Sequence, residues 1–230
     1  MSIKNRPGIS VIMSVFNDSK RVATAIESIL NQTHTNYEFL IMDDCSTDET
    51  YEICSHYEKE YDQVKLFRNK NNIGLTKSLN ILCKKAQFEY IARQDSDDFS
   101  RPERFKQQLN FIDKNNLDIC LTRATLNNSQ RKRPTLSYLF TPKLLVRFKN
   151  PFIHGTLMIK KTVLTDLGFY DENYKYAQDY KLFYDAVKNK CRIKTLNKTL
   201  YNLNTKNNIS SKYKKEQKYY AECVKKELLP

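Results

Sequence analysis

The order of hydrophobic and polar positions through residue 120 predicts strands and helices in alternation. ISVIMSV (9–15) is a continuous apolar run, as expected for a strand that is buried on both faces. EFLIMD (38–43), VKLF (64–67) and FEYIA (88–92) are shorter runs of the same kind and predict the next three strands. Such alternation is typical of an α/β fold, in which helices cover both faces of a largely parallel sheet.

Polar residues that can cap a helix N-terminus stand between these strands. Residues 17–19 (Asn-Asp-Ser) precede apolar positions at helical spacing. Ser46–Glu49 and Ser100–Glu103 both match the S/T-x-x-E capping box and predict the starts of two further helices. Leucines between residues 75 and 82 mark another helix.

The second half of the chain is less regular. Residues 126–138 predict a polar loop, residues 141–148 the start of a short helix, and residues 156–160 a strand. Residues 179–188 predict a helix, and a basic helical tail is expected from residue 211 onward. Neither an internal repeat nor a linker is visible, so the pattern predicts a single domain.

Composition narrows the class of protein. A chain of 230 residues with 40% hydrophobic and 28% charged residues is typical of one globular α/β domain. Its apolar runs are too short to span a bilayer, and its first residues lack the apolar core of a secretory signal. The six cysteines show no metal-binding spacing and are expected to be reduced thiols, which favours a cytoplasmic location.

The net charge of +13 is unevenly distributed. Residues 1–120 carry 16 Lys and Arg against 18 Asp and Glu, whereas residues 121–230 carry 23 against 8. A basic half can attract nucleic acid, anionic lipid headgroups or phosphate-bearing substrates. A solvated basic surface without a partner explains the same charge equally well.

Three polar clusters follow predicted strands: Phe16-Asn17-Asp18, Asp43-Asp44, and the acidic stretch Asp95–Asp98. In an open parallel sheet, ligands bind beyond the carboxyl ends of the strands. Because these ends share one edge of the sheet, we expect the three clusters to line one cleft. A purely structural role, as helix caps and helix-dipole partners, is the alternative for each aspartate.

The residues limit which ligand this cleft can hold. The chain has four glycines and neither a dinucleotide-binding G-x-G-x-x-G nor a P-loop, which argues against a dehydrogenase and a P-loop ATPase. An EF-hand is excluded because its sixth and twelfth positions are Ser100 and Lys106. Carboxylates repel phosphates but hold them through Mg²⁺, so a nucleoside diphosphate would need a divalent ion. A phosphatase with an aspartyl nucleophile stays a minor alternative.

Five segments, in order and spacing, resemble the family 2 inverting glycosyltransferases of bacterial polysaccharide synthesis. They are SVFND (14–18), MDDCSTDET (42–50), NNIGLTKSLN (71–80), YIARQDSDDFSRPERF (90–105) and HGTLMIKK (154–161). The resemblance covers about residues 9–190 and implies the GT-A fold, a single domain with a Rossmann-like, mostly parallel mixed sheet. We therefore predict a glycosyltransferase domain over residues 1–212, with a nucleotide-binding half over about 9–105 and an acceptor half over 106–212, followed by a basic helical tail over 213–230.

The resemblance further implies roles for individual residues. Those expected around the nucleotide are Val15, Phe16, Asn17, Asp44, Arg68 and Asp97. Asp98, with Asp97, would bind Mn²⁺ or Mg²⁺, and Arg93 and His154 would lie near the diphosphate or the sugar. Asp179 would be the catalytic base; it follows Gln178, where the family usually has Glu. The rival explanation for Asp179 is a stabilising acid in the first turn of a helix.

The implied reaction moves one sugar from a nucleotide-diphosphate sugar, commonly a UDP-sugar, to a hydroxyl of a saccharide or lipid-linked saccharide. The basic half suggests attachment to an anionic membrane surface on its cytoplasmic face, and no nucleic acid partner is expected. A non-catalytic nucleotide-binding scaffold, a basic nucleic-acid-binding module and a nucleotidyltransferase are the alternatives.

Overall fold

A computed structural model describes residues 7–127, 129–135, 142–205 and 213–230. Its first part alternates strands and helices as the sequence predicts. The elements are β1 (Ile9–Val15), α1 (Val22–Leu30), β2 (Tyr37–Asp43), α2 (Thr50–Glu60), β3 (Val64–Arg68), α3 (Leu75–Lys85), β4 (Tyr90–Arg93), β5 (Phe99–Ser100) and α4 (Arg104–Asn115).

The second part is a mixture of short and long elements. They are β6 (Ile119–Leu126), β7 (Lys132–Arg133), α5 (Pro142–Leu145), a 3-10 turn (His154–Thr156), β8 (Met158–Lys160), α6 (Lys161–Asp166), α7 (Gln178–Lys188), β9 (Ile193–Leu203) and α8 (Lys214–Lys226). No described helix combines the length and the apolar character needed to cross a bilayer.

The described strands form one mixed sheet in the order β3-β2-β1-β4-β8-β6-β9-β5, and β7 pairs with β6. Strands β1 to β4 are parallel to one another, and β6 is parallel to β9. Strand β8 is antiparallel to both β4 and β6 and joins the two parallel parts. The expected single α/β domain with a mixed, mostly parallel sheet is therefore confirmed.

The core has a layer on each face of the sheet because successive residues of β1 point in opposite directions. Val11 belongs to the layer under α1, α2 and α4, and Ile12 to the layer under α3, α6 and α7. Both side chains are fully buried, which explains the uninterrupted apolar run in the sequence. A third, smaller cluster lies between α7 and α8 and includes Tyr180 and Val224.

The two predicted capping boxes are wrong. Helices α2 and α4 begin at Thr50 and Arg104, and neither has a side-chain cap. The Ser46 hydroxyl accepts a hydrogen bond from the Asn17 backbone amide (3.0 Å), and the Ser100 hydroxyl donates to Gln94 Oε1 (2.7 Å). Both serines therefore connect distant segments, a competition that local sequence patterns cannot show.

Other boundaries differ by a few residues. Helix α5 ends at Leu145 and strand β8 begins at Met158, after a turn that the sequence interpretation included in the strand. A short strand, β7, lies within the predicted loop 126–138. Positions 128, 136–138 and 141, and positions 211–212 of the predicted tail, lie outside the described residues.

Candidate functional site

The loops that follow β1 and β2 are hydrogen-bonded to each other. The Thr47 amide donates to Asn17 Oδ1 (2.8 Å), and the Asp44 amide donates to the carbonyl of Val15 (2.8 Å). Asn17 has a φ of +49°, in the left-handed region that asparagine tolerates better than most residues. The side chain of Val15 is buried, so Val15 takes part in the link between these two loops through its backbone carbonyl.

The loop that follows β4 joins the same edge of the sheet. Ser96 Oγ donates to Asp18 Oδ2 (2.7 Å). Arg21 links Asp18 (2.6 Å) to Asp97 (3.4 Å) from the start of α1. The three polar clusters that the sequence singled out are thus neighbours at one edge of the sheet.

Asp44 connects the end of β2 to the segment between β3 and α3. Its carboxylate accepts hydrogen bonds from Asn69 Nδ2 (2.8 Å) and from the amides of Ile73 (2.9 Å) and Gly74 (2.8 Å). Oδ1 takes two of these bonds and Oδ2 takes one, which leaves Oδ2 capacity for one more. The predicted contact between Asp44 and a nucleobase stays a prediction that this capacity permits.

Arg68 and Phe16 lie on either side of these loops. Arg68 Nε pairs with the buried Asp43 (3.1 Å), and its Nη2 donates to the carbonyl of Ser46 (3.0 Å). The guanidinium also stacks 4.2 Å from the centre of the Tyr51 ring. Phe16 is 48% exposed, so it presents an apolar surface to solvent at the rim. Both residues remain candidates for contact with a nucleotide.

Asp98 is a buried carboxylate with an unused oxygen. Its Oδ1 accepts a hydrogen bond from the Asn204 amide (2.7 Å). Its Oδ2 is buried and lacks a hydrogen-bond partner among the described residues. Burial raises the pKa of Asp98 well above its usual range and the charges of Asp95 and Asp97 raise it further, whereas the Asn204 backbone amide and the Tyr201 hydroxyl oppose the increase. Such an oxygen is costly to leave without a partner, so it is suited to a cation.

The pKa of Asp97 is also raised by its surroundings. Burial raises its pKa to about 6, with a further increase from Asp95 and a partial offset from Arg21. Asn204 Nδ2 also donates to Asp97 (3.3 Å). Within the described chain, no three His, Cys, Asp or Glu side chains are grouped as a metal site. A divalent ion that is held by one or two carboxylates and takes its other ligands from substrate oxygens needs no such group, and residues 95–98, the acidic loop, offer carboxylates of this kind.

Arg93 lies behind the acidic loop and has no exposed surface. It pairs with Asp95 and donates to the carbonyl of Gln94. The predicted contact between Arg93 and a diphosphate stays a prediction. In this conformation Arg93 acts on the site by orienting Asp95.

The turn before β8 contacts the acidic loop from the other side. A Cβ on Gly155 would lie 2.8 Å from Asp95 Oδ2 and 2.5 Å from the hydroxyl of Tyr201, so glycine is required for this approach. The neighbouring His154 forms a hydrogen bond between Nε2 and the hydroxyl of Tyr170 (2.8 Å). Burial, and then the charge of Arg93, lower the pKa of His154 well below its usual range, so the ring is neutral at pH 7.

Asp179 lies in the first turn of α7, within electrostatic reach of the acidic loop. Asn150 Nδ2 donates to its Oδ2 (2.7 Å). Burial raises the pKa of Asp179, and the charge of Asp95 adds to the increase, whereas the first-turn amides and Asn150 oppose it. The residue as a whole is half-buried. The roles of base and of first-turn acid are compatible with this position.

Sequence interpretation missed three residues of this region. Tyr201 and Asn204 contact the acidic loop from the end of β9, and Asn150 contacts Asp179. Tyr201 and Asn204 are more than 100 positions from the acidic loop, and nothing in their local sequence marks them. Asn150 could have been suspected from its place in the same turn as His154.

Comparisons with known proteins agree on one family. Residues 10–171 match the sequence profile described as Glycosyl transferase family 2. The chain is 36% identical to the putative glycosyltransferase EpsE of Bacillus subtilis over 71% of its length. It is 34% identical to the O-antigen biosynthesis glycosyltransferase WbnJ of Escherichia coli over 83% of its length. It spans 60% of EpsE and 76% of WbnJ.

The fold is also found in solved structures. Staphylococcus aureus TarS 1–349 in complex with UDP-GlcNAc superposes with a TM-score of 0.77 and 25% identity, covering 89% of this chain and 60% of that structure. A mannosyltransferase of Pyrobaculum calidifontis, in complex with GDP-Man and Mn²⁺, superposes with a TM-score of 0.76 at 16% identity, covering 93% of this chain and 61% of that one. The second likeness concerns the fold only.

Proposed function

The chain belongs to glycosyltransferase family 2, and on this premise we propose that it transfers one sugar from a UDP-sugar to a hydroxyl group of a saccharide, with inversion at the anomeric carbon. The observation that supports this most is Oδ2 of Asp98, which is buried, has no hydrogen-bond partner among the described residues and feels the charges of Asp95 and Asp97. A divalent ion that also binds the diphosphate would satisfy this oxygen. The complex of TarS with UDP-GlcNAc favours a uridine nucleotide and makes an N-acetylhexosamine the first sugar to test.

The nucleotide would lie across the ends of β1 and β2. Phe16 offers an apolar face, and Asp44 Oδ2 has capacity for one hydrogen bond from a base N–H. Arg68 is about half exposed, and its charge is partly neutralised by Asp43. Val15 and Asn17 support these contacts through the turn that they form.

Asp98, with Asp97, would hold Mn²⁺ or Mg²⁺. The bound ion supplies a Lewis acid that stabilises negative charge on the leaving diphosphate. Arg93 keeps Asp95 in place beneath this site. The neutral His154 and Gly155 close the opposite side, where the diphosphate or the sugar would lie.

Asp179 would accept the proton of the acceptor hydroxyl. As the proton leaves, the hydroxyl oxygen bonds to the anomeric carbon, and the bond from that carbon to the diphosphate oxygen breaks on the opposite face. The products are the inverted glycoside and UDP. Burial and Asp95 raise the pKa of Asp179, and a raised pKa makes a carboxylate a stronger base.

The acceptor would be a saccharide or a lipid-linked saccharide in surface polysaccharide synthesis. The names of the relatives, O-antigen and teichoic acid enzymes among them, support this class. A lipid-linked acceptor would place the protein at the cytoplasmic face of a membrane, to which its basic half is suited.

Thermal unfolding with UDP-GlcNAc and GDP-mannose, each with and without Mn²⁺, tests the proposal. At a concentration of 100 Kd, a ligand stabilises the folded state by about 2.7 kcal/mol. We expect this gain for the uridine donor with Mn²⁺ and not for Asp98→Asn. Asp62→Asn, a change of the same kind at an exposed position, should respond like the wild type.

Transfer assays separate catalysis from binding. Asp179→Asn should keep the Mn²⁺-dependent donor binding and lose about 10²–10⁴-fold in kcat, because only the proton acceptor is removed. Normal turnover by this variant would show that Asp179 is a first-turn acid and not the base. Donor binding without turnover by the wild type would favour the non-catalytic scaffold.

A further inference from the structure

A cationic groove lies away from the acidic loop. It is a cavity of about 750 Å³ between α5, the C-terminal end of α7 and the start of β9. Leu117, Val146, Val187 and Ile193 contribute apolar surface to it. The cationic side chains that line it are Lys143, Arg147, Lys188, Lys190, Arg192 and Lys194.

Acidic residues neutralise only part of this charge. Glu227 is the one acid among the described lining residues, and it is already bonded to Lys188 and Tyr184. Arg192 pairs with Asp118 (2.9 Å). Lys143, Arg147 and Lys190 form no ion pair within the described chain. The cationic groove therefore carries several positive charges that are available to an anionic partner.

Large apolar side chains project beside these cations. Leu144, in α5, is 55% exposed, and Phe148, four residues later in the turn that follows the helix, is 67% exposed. Lys143 and Arg147 have the same spacing, one position earlier. Residues 143–148 therefore carry two exposed cationic and two exposed large apolar side chains.

The C-terminal residues add to this apolar rim. Leu228 is 55% exposed and Leu229 is 72% exposed. The hydroxyl of Tyr174 donates to the carbonyl of Leu228 (2.6 Å), and that of Tyr180 donates to the carbonyl of Val146 (2.7 Å). Both projections are therefore held against the same helix-packing cluster. We define Leu144, Phe148, Leu228 and Leu229 as the apolar rim.

The cationic groove is separate from the candidate donor site. Ile193, at its wall, begins β9, whereas Asn204, which bonds to Asp98, follows the end of that strand. At 3.3 Å per residue the two positions are on the order of 30 Å apart. The groove and the acidic loop therefore lie at opposite ends of β9.

We propose that the cationic groove and the apolar rim dock this protein on an anionic lipid bilayer. The cations face headgroup phosphates, and the apolar rim enters the boundary between headgroups and acyl chains, as in interfacial helices. Aliphatic side chains such as Leu144 and Leu229 offer nothing to the phosphates of a nucleic acid. A second copy of the chain would present the same positive charge and be repelled. The inference deepens the proposed lipid-linked acceptor, but docking itself requires no sugar transfer.

Vesicle co-sedimentation of the full chain tests the docking directly. We expect binding to vesicles that contain phosphatidylglycerol, little binding to phosphatidylcholine, and weakening by salt. Lys143→Glu with Arg147→Glu should reduce partitioning at least about tenfold. Lys59→Glu with Lys106→Glu removes the same charge from exposed positions on α2 and α4 and should have a much smaller effect.

A second pair of variants tests the apolar rim. Leu144→Ser with Phe148→Ser should reduce the partitioning that persists at high salt, since apolar contact is not screened. Soluble polyphosphate serves as a competitor that has charge but no bilayer. Thermal unfolding confirms that each variant is folded, and transfer to a soluble acceptor should be unchanged in all of them.

Each alternative result overturns the docking proposal. Equal binding to both vesicle types would show that charge does not contribute to docking. Equal losses of binding in the groove variant and in the Lys59→Glu, Lys106→Glu control would show that binding depends on the net charge of the protein and not on this face. Wild-type partitioning by the Leu144 and Phe148 variant excludes insertion. Because vesicle binding is measured without donor or acceptor, failure here would leave the proposed transferase activity standing, and the reverse also holds.

Discussion

At the scale of single residues, the acidic loop contains carboxyl groups whose burial lowers the stability of the folded protein. Asp98 is 3% exposed and has one oxygen without a partner in the described chain. Two neighbouring aspartates raise its pKa further. A protein under selection for stability alone would avoid such an arrangement, because a buried unpaired carboxylate is costly. Groups of this kind are concentrated at functional sites, where a ligand compensates for the cost.

Asn150 is expected to tune the candidate base. Its amide donates to Asp179 Oδ2 at 2.7 Å and favours the ionised carboxylate. Asn150→Ala should therefore raise the pKa of Asp179, which burial and Asp95 already raise. The acidic limb of the kcat profile should move to higher pH by about one unit, since a hydrogen bond to a charged group is worth about 1.5–3 kcal/mol. The measurement is kcat against pH under saturating substrates.

Asn189→Ala is the matched control for this prediction. Asn189 follows the C-terminal end of the same helix and bonds to the backbone carbonyl of Asp185 (2.9 Å). Its loss should leave the pH profile in place. A profile that Asn150→Ala does not shift would mean that Asn150 only supports its loop.

At the scale of elements, the short turn before β8 brings the two halves of the sheet into contact. Strand β8 pairs with β4 on one side and with β6 on the other. Gly155 at this turn touches both Asp95 and Tyr201, which come from the β4 and β9 ends. The geometry of the acidic loop therefore depends on the three-residue turn His154–Thr156, which is remote from it in sequence.

Gly155→Ala should reduce transfer more than it reduces stability. The added methyl must displace Asp95 or Tyr201, and misplacement by about 1 Å at a reacting centre can cost on the order of 10²-fold in rate. Kinetics of kcat and KM, measured beside thermal unfolding, would show this. Unchanged kinetics would mean that the turn does not determine the position of the acidic loop.

Gly168→Ala provides the control for Gly155. Gly168 has a φ of +78° and open space around its Cα, so alanine there is strained but meets no atom. We expect a loss of about 1–2 kcal/mol of stability and no change in kcat where the variant is folded. Comparison of the two variants thus distinguishes a requirement for space, at Gly155, from a requirement for backbone conformation, at Gly168.

At the scale of the whole molecule, α8 is attached to the domain. Val224 and Cys223 are buried against Tyr174 and Tyr180 in the third core cluster. The predicted division into a domain over residues 1–212 and a basic helical tail over 213–230 stays a prediction. The packing supports a tail that unfolds together with the rest of the chain.

Val224→Ala should therefore destabilise the entire domain. Removing two buried methyl groups costs about 1–3 kcal/mol, or roughly 2–4 °C in Tm for each kcal/mol in a chain of this size. Tyr219→Ala, on the exposed side of the same helix, should change Tm much less. Calorimetry would show a single shifted transition for Val224→Ala. A separate low-temperature transition would instead indicate an independent tail.

Hydrophobic and polar patterns over short stretches of the sequence were enough to predict much of this fold. The apolar run of β1, the alternation of strands and helices, and the order of three polar clusters follow from burial and chain direction, which act over a few residues. They were sufficient for the fold class and for the edge of the sheet where a ligand would bind. The roles of Asp44, Asp97 and Asp98 are implied by the family resemblance and stay predictions.

Only the tertiary structure decided which partner each polar side chain has. Ser46 and Ser100 were predicted to cap helices but form hydrogen bonds with Asn17 and Gln94 instead. Arg93 is buried and pairs with Asp95. Asn150, Tyr201 and Asn204 reached the site from segments without any local signal. A hydrogen bond is strong only at close range and in the right direction, so its partner depends on which segments the fold brings together. A sequence pattern specifies burial, whereas the assembled chain specifies contacts.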